Sequence, residues 1–256
     1  EAARGTFVAR MDADDVALPG RLAAQARLLT RSNAHICFCR CTMRDEETGT
    51  EYPWKEMRGV LLGWRNLFNN YYGPHPAVMF RRESIVSAGA YDETFHHSQD
   101  YDLWERSVAA GYGFAYERDS LMVYRLHARA ITRRYGAEQA EAAGRVSRRA
   151  LMRVFPEIAD DEITGLRWLM SGGPVVPAPA AIAAAIGSLC DRAARFSHSS
   201  VWRDVSTRLI RRIPDLEGDL ERATRRKVLN ASLRSVSAVT AARGMRAALL
   251  ARDRRH

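Results

Sequence analysis

Cysteine is scarce, four residues in 256, and three of the four fall together in Cys37-Phe38-Cys39-Arg40-Cys41. Alternation along a strand puts those three on one face, about 6.6 Å apart at about 3.3 Å per residue. That spacing closes neither a disulfide nor a single zinc site. The chain is therefore no disulfide-stapled secreted domain, and the thiols read as small apolar filler in a reducing cytoplasm. No segment joins a basic start, an apolar stretch and a cleavage site in the manner of a signal peptide. The longest uncharged run, Trp168 to Cys190, is broken by prolines and glycines and is rich in alanine, which makes it a poor membrane span. No recognised nucleic-acid-binding motif is present, nor a basic patch interleaved with aromatics, so no nucleic-acid partner is expected. The sequon Asn230-Ala231-Ser232 means little in a cytoplasmic chain.

Acidic residues are short in one half only. Residues 1–130 hold 16 Lys and Arg against 17 Asp and Glu, whereas residues 131–256 hold 23 against 13, so the whole net charge of +9 lies in the C-terminal part. With 46% hydrophobic residues the chain can bury a proper core. The first part alternates strand and helix patterns: strand Thr6–Met11, helix Arg21–Thr30, strand Ala34–Met43, a polar turn at Asp45–Thr50 and a helix near Glu56–Phe68. Strand Ala77–Phe80, helix Asp100–Ala110 and strand Phe114–Tyr116 follow, which is the pattern of an α/β layer. From Ile131 the chain turns helical, with helices expected at Glu138–Val154, Asp161–Met170, Ala180–Phe196, Val201–Ile213, Leu216–Leu229 and Asn230–Arg252. The clearest linker is 171–179, and the division expected is a catalytic part over 1–130 and a basic helical extension over 131–256.

Two acidic clusters stand out. Asp12-Ala13-Asp14-Asp15 closes the first strand, where crowded carboxylates repel one another unless a cation relieves them. Gln99-Asp100-Tyr101-Asp102 opens a helix. Each has an ordinary structural explanation: Asp is common at strand ends and helix caps, Asp15 could cap the following helix, and negative charge suits a first helical turn.

The surroundings narrow the choice. Arg10-Met11-Asp12-Ala13-Asp14-Asp15 is followed by Pro19, Arg21-Leu22 and Gln25. Then come His75-Pro76-Ala77-Val78-Met79-Phe80-Arg81-Arg82 and Gly89-Ala90-Tyr91-Asp92-Glu93. Gln99-Asp100-Tyr101-Asp102-Leu103-Trp104 with Arg106, and Tyr124-Arg125-Leu126-His127, complete the series. In this order, over residues 4–132, these stretches resemble the second half of the catalytic domain of family 2 glycosyltransferases, which have the GT-A fold.

The resemblance implies roles. Asp12 and Asp14 would bind a divalent cation, Mn²⁺ or Mg²⁺, and the diphosphate of a nucleotide-sugar donor, with Asp14 the direct ligand and Asp12 alternatively on the ribose. Arg125 would pair with the donor diphosphate and His127 would complete the metal shell. Asp100 matches the catalytic base, which would take a proton from an acceptor hydroxyl during an inverting single displacement. The family usually has Glu before that Asp; here Gln99 stands there, so the neighbouring charge that would raise the Asp100 pKa is missing. Asp102 is placed to orient Arg106 at i+4. His75 would line the acceptor side, Arg81 and Arg82 either contact phosphate or form a solvated strand end, and His96 and His97 fall in an acceptor-side loop.

The family's donor-binding half, about 60–90 residues at about 30 per βαβ unit, normally precedes the Asp-x-Asp strand. Only eleven residues do so here, so the chain is expected to be N-terminally truncated and inactive by itself. The leading reading is a metal-dependent inverting glycosyltransferase acting on a glycan, lipid-carrier or small-molecule hydroxyl. The alternative is a non-catalytic interaction module of GT-A origin with a basic helical tail. A metal-dependent phosphohydrolase ranks last, for want of a phosphoryl nucleophile. Arg208, Arg211, Arg212, Arg222, Arg225, Arg226 and Lys227 form a solvated face or, second, a contact with anionic lipid at the inner side of a membrane.

Overall fold

The computed structural model describes residues 3–54, 59–127, 135–172, 176–194, 199–212 and 222. The expected helices Leu216–Leu229 and Asn230–Arg252 lie outside them. The chain forms two compact units: Glu1–Met57 with Asn69–Val146, and Arg58–Phe68 with Ser147–His256.

The first unit is a mixed α/β layer, consistent with a GT-A domain. Its sheet comprises β1 (Phe7–Ala9), β2 (Val16–Ala17), β3 (Ile36–Asp45), β4 (Glu51–Pro53), β5 (Val78–Arg81) and β6 (Phe114–Leu126), in the order β1-β5-β3-β6-β2 with β4 paired to β3. Only β3 and β6 run parallel; β5 is antiparallel to both β1 and β3, and β2 to β6. Strand β6 is far longer than the three residues its apolar start suggests. The polar run Glu117-Arg118-Asp119 breaks the alternation, but it is a bulge: Cys39 pairs Glu117, Arg40 pairs Ser120, and pairing then resumes as far as Asp45 with Leu126. Through that bulge β6 reaches β2, where Val123 pairs Val16, and delivers Arg125 and His127 to the acidic turn.

Helix α1 (Arg21–Arg31) covers one face, where Leu29 packs with Ala34, Cys37 and Met79. The three thiols are free and buried, in keeping with apolar filler. On the other face Trp104 of α4 (Gln99–Ala109) meets Phe38 and Phe114 edge-on. A 3-10 turn at His75–Ala77 leads into β5, and α3 (Arg82–Ser87) follows it. The segment before α4 is held by the start of α5 (Gly136–Val154): Phe95 and Tyr101 cluster with Ala142, Ala143 and Val146, and Ser98 Oγ donates to Gln139 O at 3.1 Å.

In the second unit α2 (Gly59–Arg65) and the last turns of α5 join α6 (Asp160–Ser171), α7 (Pro179–Ala194) and α8 (Ser199–Arg212). Trp64, Leu67 and Phe68 share one core with Leu151, Phe155, Leu166, Leu189 and Val205. Helices α6 and α7 approach closely because Gly165 has no side chain; a Cβ there would stand 2.2 Å from Ala181 O. Trp168 to Cys190 thus divides between two helices, and among the described residues no helix is long and apolar enough to cross a membrane. Of the arginines expected on a solvated face, Arg208 is turned inward, pairing with Asp204 at 3.1 Å and donating to Met170 O, and Arg212 lies over Trp168. Arg225, Arg226 and Lys227 lie outside the described residues.

Candidate active site

The acidic turn is pinned at both ends by backbone. Arg10 N–H donates to Val78 O at 3.0 Å as the chain leaves β1, Asp15 N–H donates back to Asp12 O at 3.3 Å, and β2 follows at once. Asp12, Asp14 and Asp15 each bring an oxygen within 4.8 Å of the others. Asp12 is paired with Arg10. His127 Nε2 lies 2.8 Å from Asp14 Oδ2, and this bond holds the Asp14 carboxyl below its ordinary range. Arg125 donates its backbone N–H to Asp15 Oδ1 at 2.9 Å and its Nε–H to the Asp14 carbonyl. So Arg125 of β6 and His127 just beyond its end meet the acidic turn at three points, from 110 or more positions away.

Asp15, expected as a cap or a supporting residue, is the buried member of the three, only 9% exposed. Burial pushes its carboxyl up, and its second oxygen, Oδ2, is enclosed with no hydrogen-bond partner. An enclosed carboxylate oxygen without a partner is costly. Three carboxylates with an imidazole beside them form a donor set for a hard divalent cation. These residues therefore fit the ion that the resemblance implies.

Asp100 stands in the first turn of α4 after Ser98, whose φ of 56° lies in the left-handed region. Asn70 Nδ2 donates to Asp100 Oδ2 and Tyr101 N–H to Oδ1, both at 2.8 Å. Burial raises the Asp100 carboxyl above the ordinary range, and these donors and Arg10 pull against it. Desolvation thus raises this pKa without the charged neighbour that Gln99 replaces. Asp102, wholly buried, receives Arg106 Nε–H at 2.9 Å, as the i+4 spacing predicts.

His75 Nε2 is 2.8 Å from Tyr91 Oη. Burial, with Arg10 nearby, pushes His75 down to about 3 and Tyr91 is pushed up to about 12, so both are neutral over the working pH range. Arg81 donates to the Ala34 and Leu29 carbonyls and covers the Phe7 ring, and Arg82 is exposed. His97 stacks on Tyr135, and His96 stays on the surface.

Two contributors lie beyond what the pattern of acids and basics shows. Asn70 sits in a polar loop with no periodic signal, thirty residues from the carboxylate it orients. Arg21 opens α1 and is 2% exposed. Its guanidinium donates to Arg10 O at 2.9 Å and Pro76 O at 2.6 Å, while Gln25, receiving Arg21 Nε–H at 3.0 Å, donates to Cys37 O and Ala77 O. The spacing Arg21, Gln25 marks this i+4 pair, but not the carbonyls it joins.

Residues 1–89 match the family model described as Glycosyl transferase family 2. An uncharacterized glycosyltransferase of Methanocaldococcus jannaschii is 31% identical over 132 residues, 48% of this chain and 43% of that protein. The amylovoran biosynthesis glycosyltransferase AmsE of Erwinia amylovora is 30% identical over 135 residues, 50% of this chain and 48% of that protein. The O-antigen biosynthesis glycosyltransferase WbnJ of Escherichia coli is 28% identical over 128 residues, 48% of each. The chain spans about half the length of the curated relatives it matches.

Proposed function

We propose, from the premise that residues 1–89 of this chain belong to glycosyl transferase family 2, that the protein is a metal-dependent inverting glycosyltransferase. It moves a sugar from a nucleotide-sugar donor to a hydroxyl of a glycan or lipid-linked acceptor. Relatives named for O-antigen and amylovoran biosynthesis support an acceptor in polysaccharide assembly. The observation that carries the reading is the acidic turn itself, with the partnerless buried oxygen of Asp15 and with His127 and Arg125 locked against it.

Asp12, Asp14 and Asp15 would hold a divalent cation, which offsets negative charge on the leaving nucleoside diphosphate. His127 orients Asp14 through its 2.8 Å bond and would complete the shell of the cation. Arg125 holds the turn together through its backbone N–H to Asp15 and its Nε–H to the Asp14 carbonyl, and its guanidinium, with Glu46 at 4.0 Å, would pair with the donor diphosphate. Asp100 accepts the proton of the acceptor hydroxyl as its oxygen attacks the anomeric carbon and the bond to the diphosphate breaks, inverting that carbon. Asn70 and the Tyr101 N–H fix which carboxylate lone pair is available for that proton.

Two measurements test this. Titration with Mn²⁺, followed by electron paramagnetic resonance, should show one tight site in the chain that is lost in Asp14→Asn and weakened in Asp15→Asn. Incubation of the protein in its full natural length with UDP-, GDP- and dTDP-hexoses and a hydroxyl acceptor should give Mn²⁺- or Mg²⁺-dependent transfer, cut by about 10²–10⁴-fold in Asp100→Asn. An Asp100→Asn enzyme as fast as the wild type would remove Asp100 from the mechanism. A chain that binds neither Mn²⁺ nor any nucleotide-sugar would favour the interaction-module alternative.

A further inference from the structure

At the strand ends opposite the acidic turn, the first unit gathers a set of groups that the proposed reaction does not use. Strand β5 runs antiparallel to both β1 and β3, and β3 runs parallel to β6, so the starts of β1, β3 and β6 lie at the same side of the sheet as the end of β5. Thr6, His35 and Tyr112 come just before those three starts, and Arg81-Arg82 stands where β5 ends. The acidic turn follows the other end of β1. Thr6, His35, Tyr112, Arg81 and Arg82 all line one cavity of about 490 Å³. Backbone bonds fix its walls: Arg82 N–H donates to Thr6 O at 2.9 Å, Arg81 N–H to His35 O at 2.8 Å, and His35 N–H to Gly113 O at 2.8 Å.

The lining is rich in donors and short of acceptors. Three guanidinium groups, those of Arg4, Arg81 and Arg82, stand against one carboxylate, Glu83. Arg81 is held by the Ala34 and Leu29 carbonyls through Nε and Nη2, which fixes its charge in the wall. Arg4 and Arg82 are exposed, and neither side chain is paired with a described residue. His35 Nδ1 accepts the Gly113 N–H at 3.1 Å, which puts the ring proton on Nε2 and supplies a further donor. The same ring stacks on Tyr112, centroids 4.6 Å and planes 22° apart, a flat wall beside the cations. Helix α3 adds the hydroxyls of Ser84 and Ser87. Crowded like charges repel, and a bound anion removes that cost. Guanidinium forks match phosphate oxygens in pairs. Three cations less one carboxylate leave two positive charges, which a phosphate monoester at about −1.5 to −2 balances. A recess of this size also admits a small polar body on the phosphate.

We propose that this cavity is a second binding site, separate from the acidic turn, for a small soluble phosphate monoester. Arg4 and Arg82 pair with the phosphate oxygens, Arg81 adds a fixed charge, and the His35–Tyr112 stack supports the body of the ligand. The site needs no metal, and it stands whether or not the acidic turn transfers a sugar.

Isothermal titration of the protein in its full natural length reads the site directly, with EDTA present so that no cation occupies the acidic turn. Glucose-1-phosphate should bind with one-to-one stoichiometry, about tenfold more tightly than inorganic sulfate, and glucose should give no heat. Arg4→Ala and Arg82→Ala, both at exposed positions, should each weaken that binding about tenfold, and Arg82→Lys should recover only part, since it restores the charge without the fork. Asp14→Asn should leave it unchanged. No binding of glucose-1-phosphate overturns the proposal, as does binding that survives loss of both arginines or disappears in Asp14→Asn. Equal affinity for sulfate reduces the cavity to a general anion surface and overturns the ligand class. Flotation with phosphatidylcholine vesicles containing phosphatidic acid separates a lipid source from a soluble one. Capture by those vesicles, lost in the same arginine variants and without binding of glucose-1-phosphate, overturns the soluble ligand.

Discussion

Asp100 carries a conflict between burial and hydrogen bonding, and the conflict sets a pH window. Desolvation raises its carboxyl above the ordinary 3.8, whereas the Asn70 amide favours the ionised form. As the proposed base, Asp100 must be ionised to work, so kcat/KM should climb with pH along an acid limb above the ordinary carboxylate range. Asn70→Ala removes a donor to the charged form and should move that limb to higher pH, as a pH–rate profile will show. Stability runs the other way. With the folded value above the unfolded one, the unfolded chain ionises first, so the contribution of Asp100 is complete below about 3.8 and falls as pH rises through the folded value. Asp100→Asn should flatten that part of a stability–pH curve measured by urea unfolding, and the wild-type slope persisting in the variant would relocate the effect. Asp12, Asp14 and Asp100 stand out in the sequence as carboxylates crowded at a strand end and a helix start, whereas Arg125 and His127 are singled out only by the family resemblance. Asn70 does not stand out, since an uncharged amide in a loop acquires its role only when folding brings it to a carboxylate.

Helix α1 works through its first turn more than through its apolar stripe. The Arg21 guanidinium binds carbonyls from the end of β1 and from the 3-10 turn before β5. Arg21→Leu should lower unfolding stability by about 3 kcal/mol, the scale of leaving buried carbonyls unpaired, and Arg21→Lys should recover only part, since an ammonium lacks the fork. Gly165→Ala makes a parallel case in the helical unit. Its new Cβ would meet Ala181 O at 2.2 Å and Ala185 Cβ at 2.6 Å, so α6 and α7 must part, at a cost of about 1–3 kcal/mol by thermal or urea unfolding. Element positions were readable from the periodicity of apolar residues: helices at Arg21, Gln99 and Asp160 begin within a residue of where the pattern places them. Strand β6 was not, because a bulge conceals a continuous strand behind a polar interruption. The short strands β2 and β4 and the six-residue α3 are too brief for any period to register.

At the scale of the whole chain, the helical unit borrows Arg58–Phe68 from within the first unit's span. Composition marks the change at residue 131, and charge follows it, but neither could show that Trp64, Leu67 and Phe68 belong to the later core. Cutting the chain after Val146 should leave those three without Leu151, Phe155 and Val205, and the product should sediment as aggregate where the full chain stays in the supernatant. The consequence reaches into biosynthesis. Arg65 and its partner Asp204 are 139 residues apart, so at roughly 5–20 residues per second a ribosome exposes the apolar face of α2 for on the order of ten seconds before its complement has been made. The nascent polypeptide passes through that interval with the Trp64 and Phe68 surface uncovered.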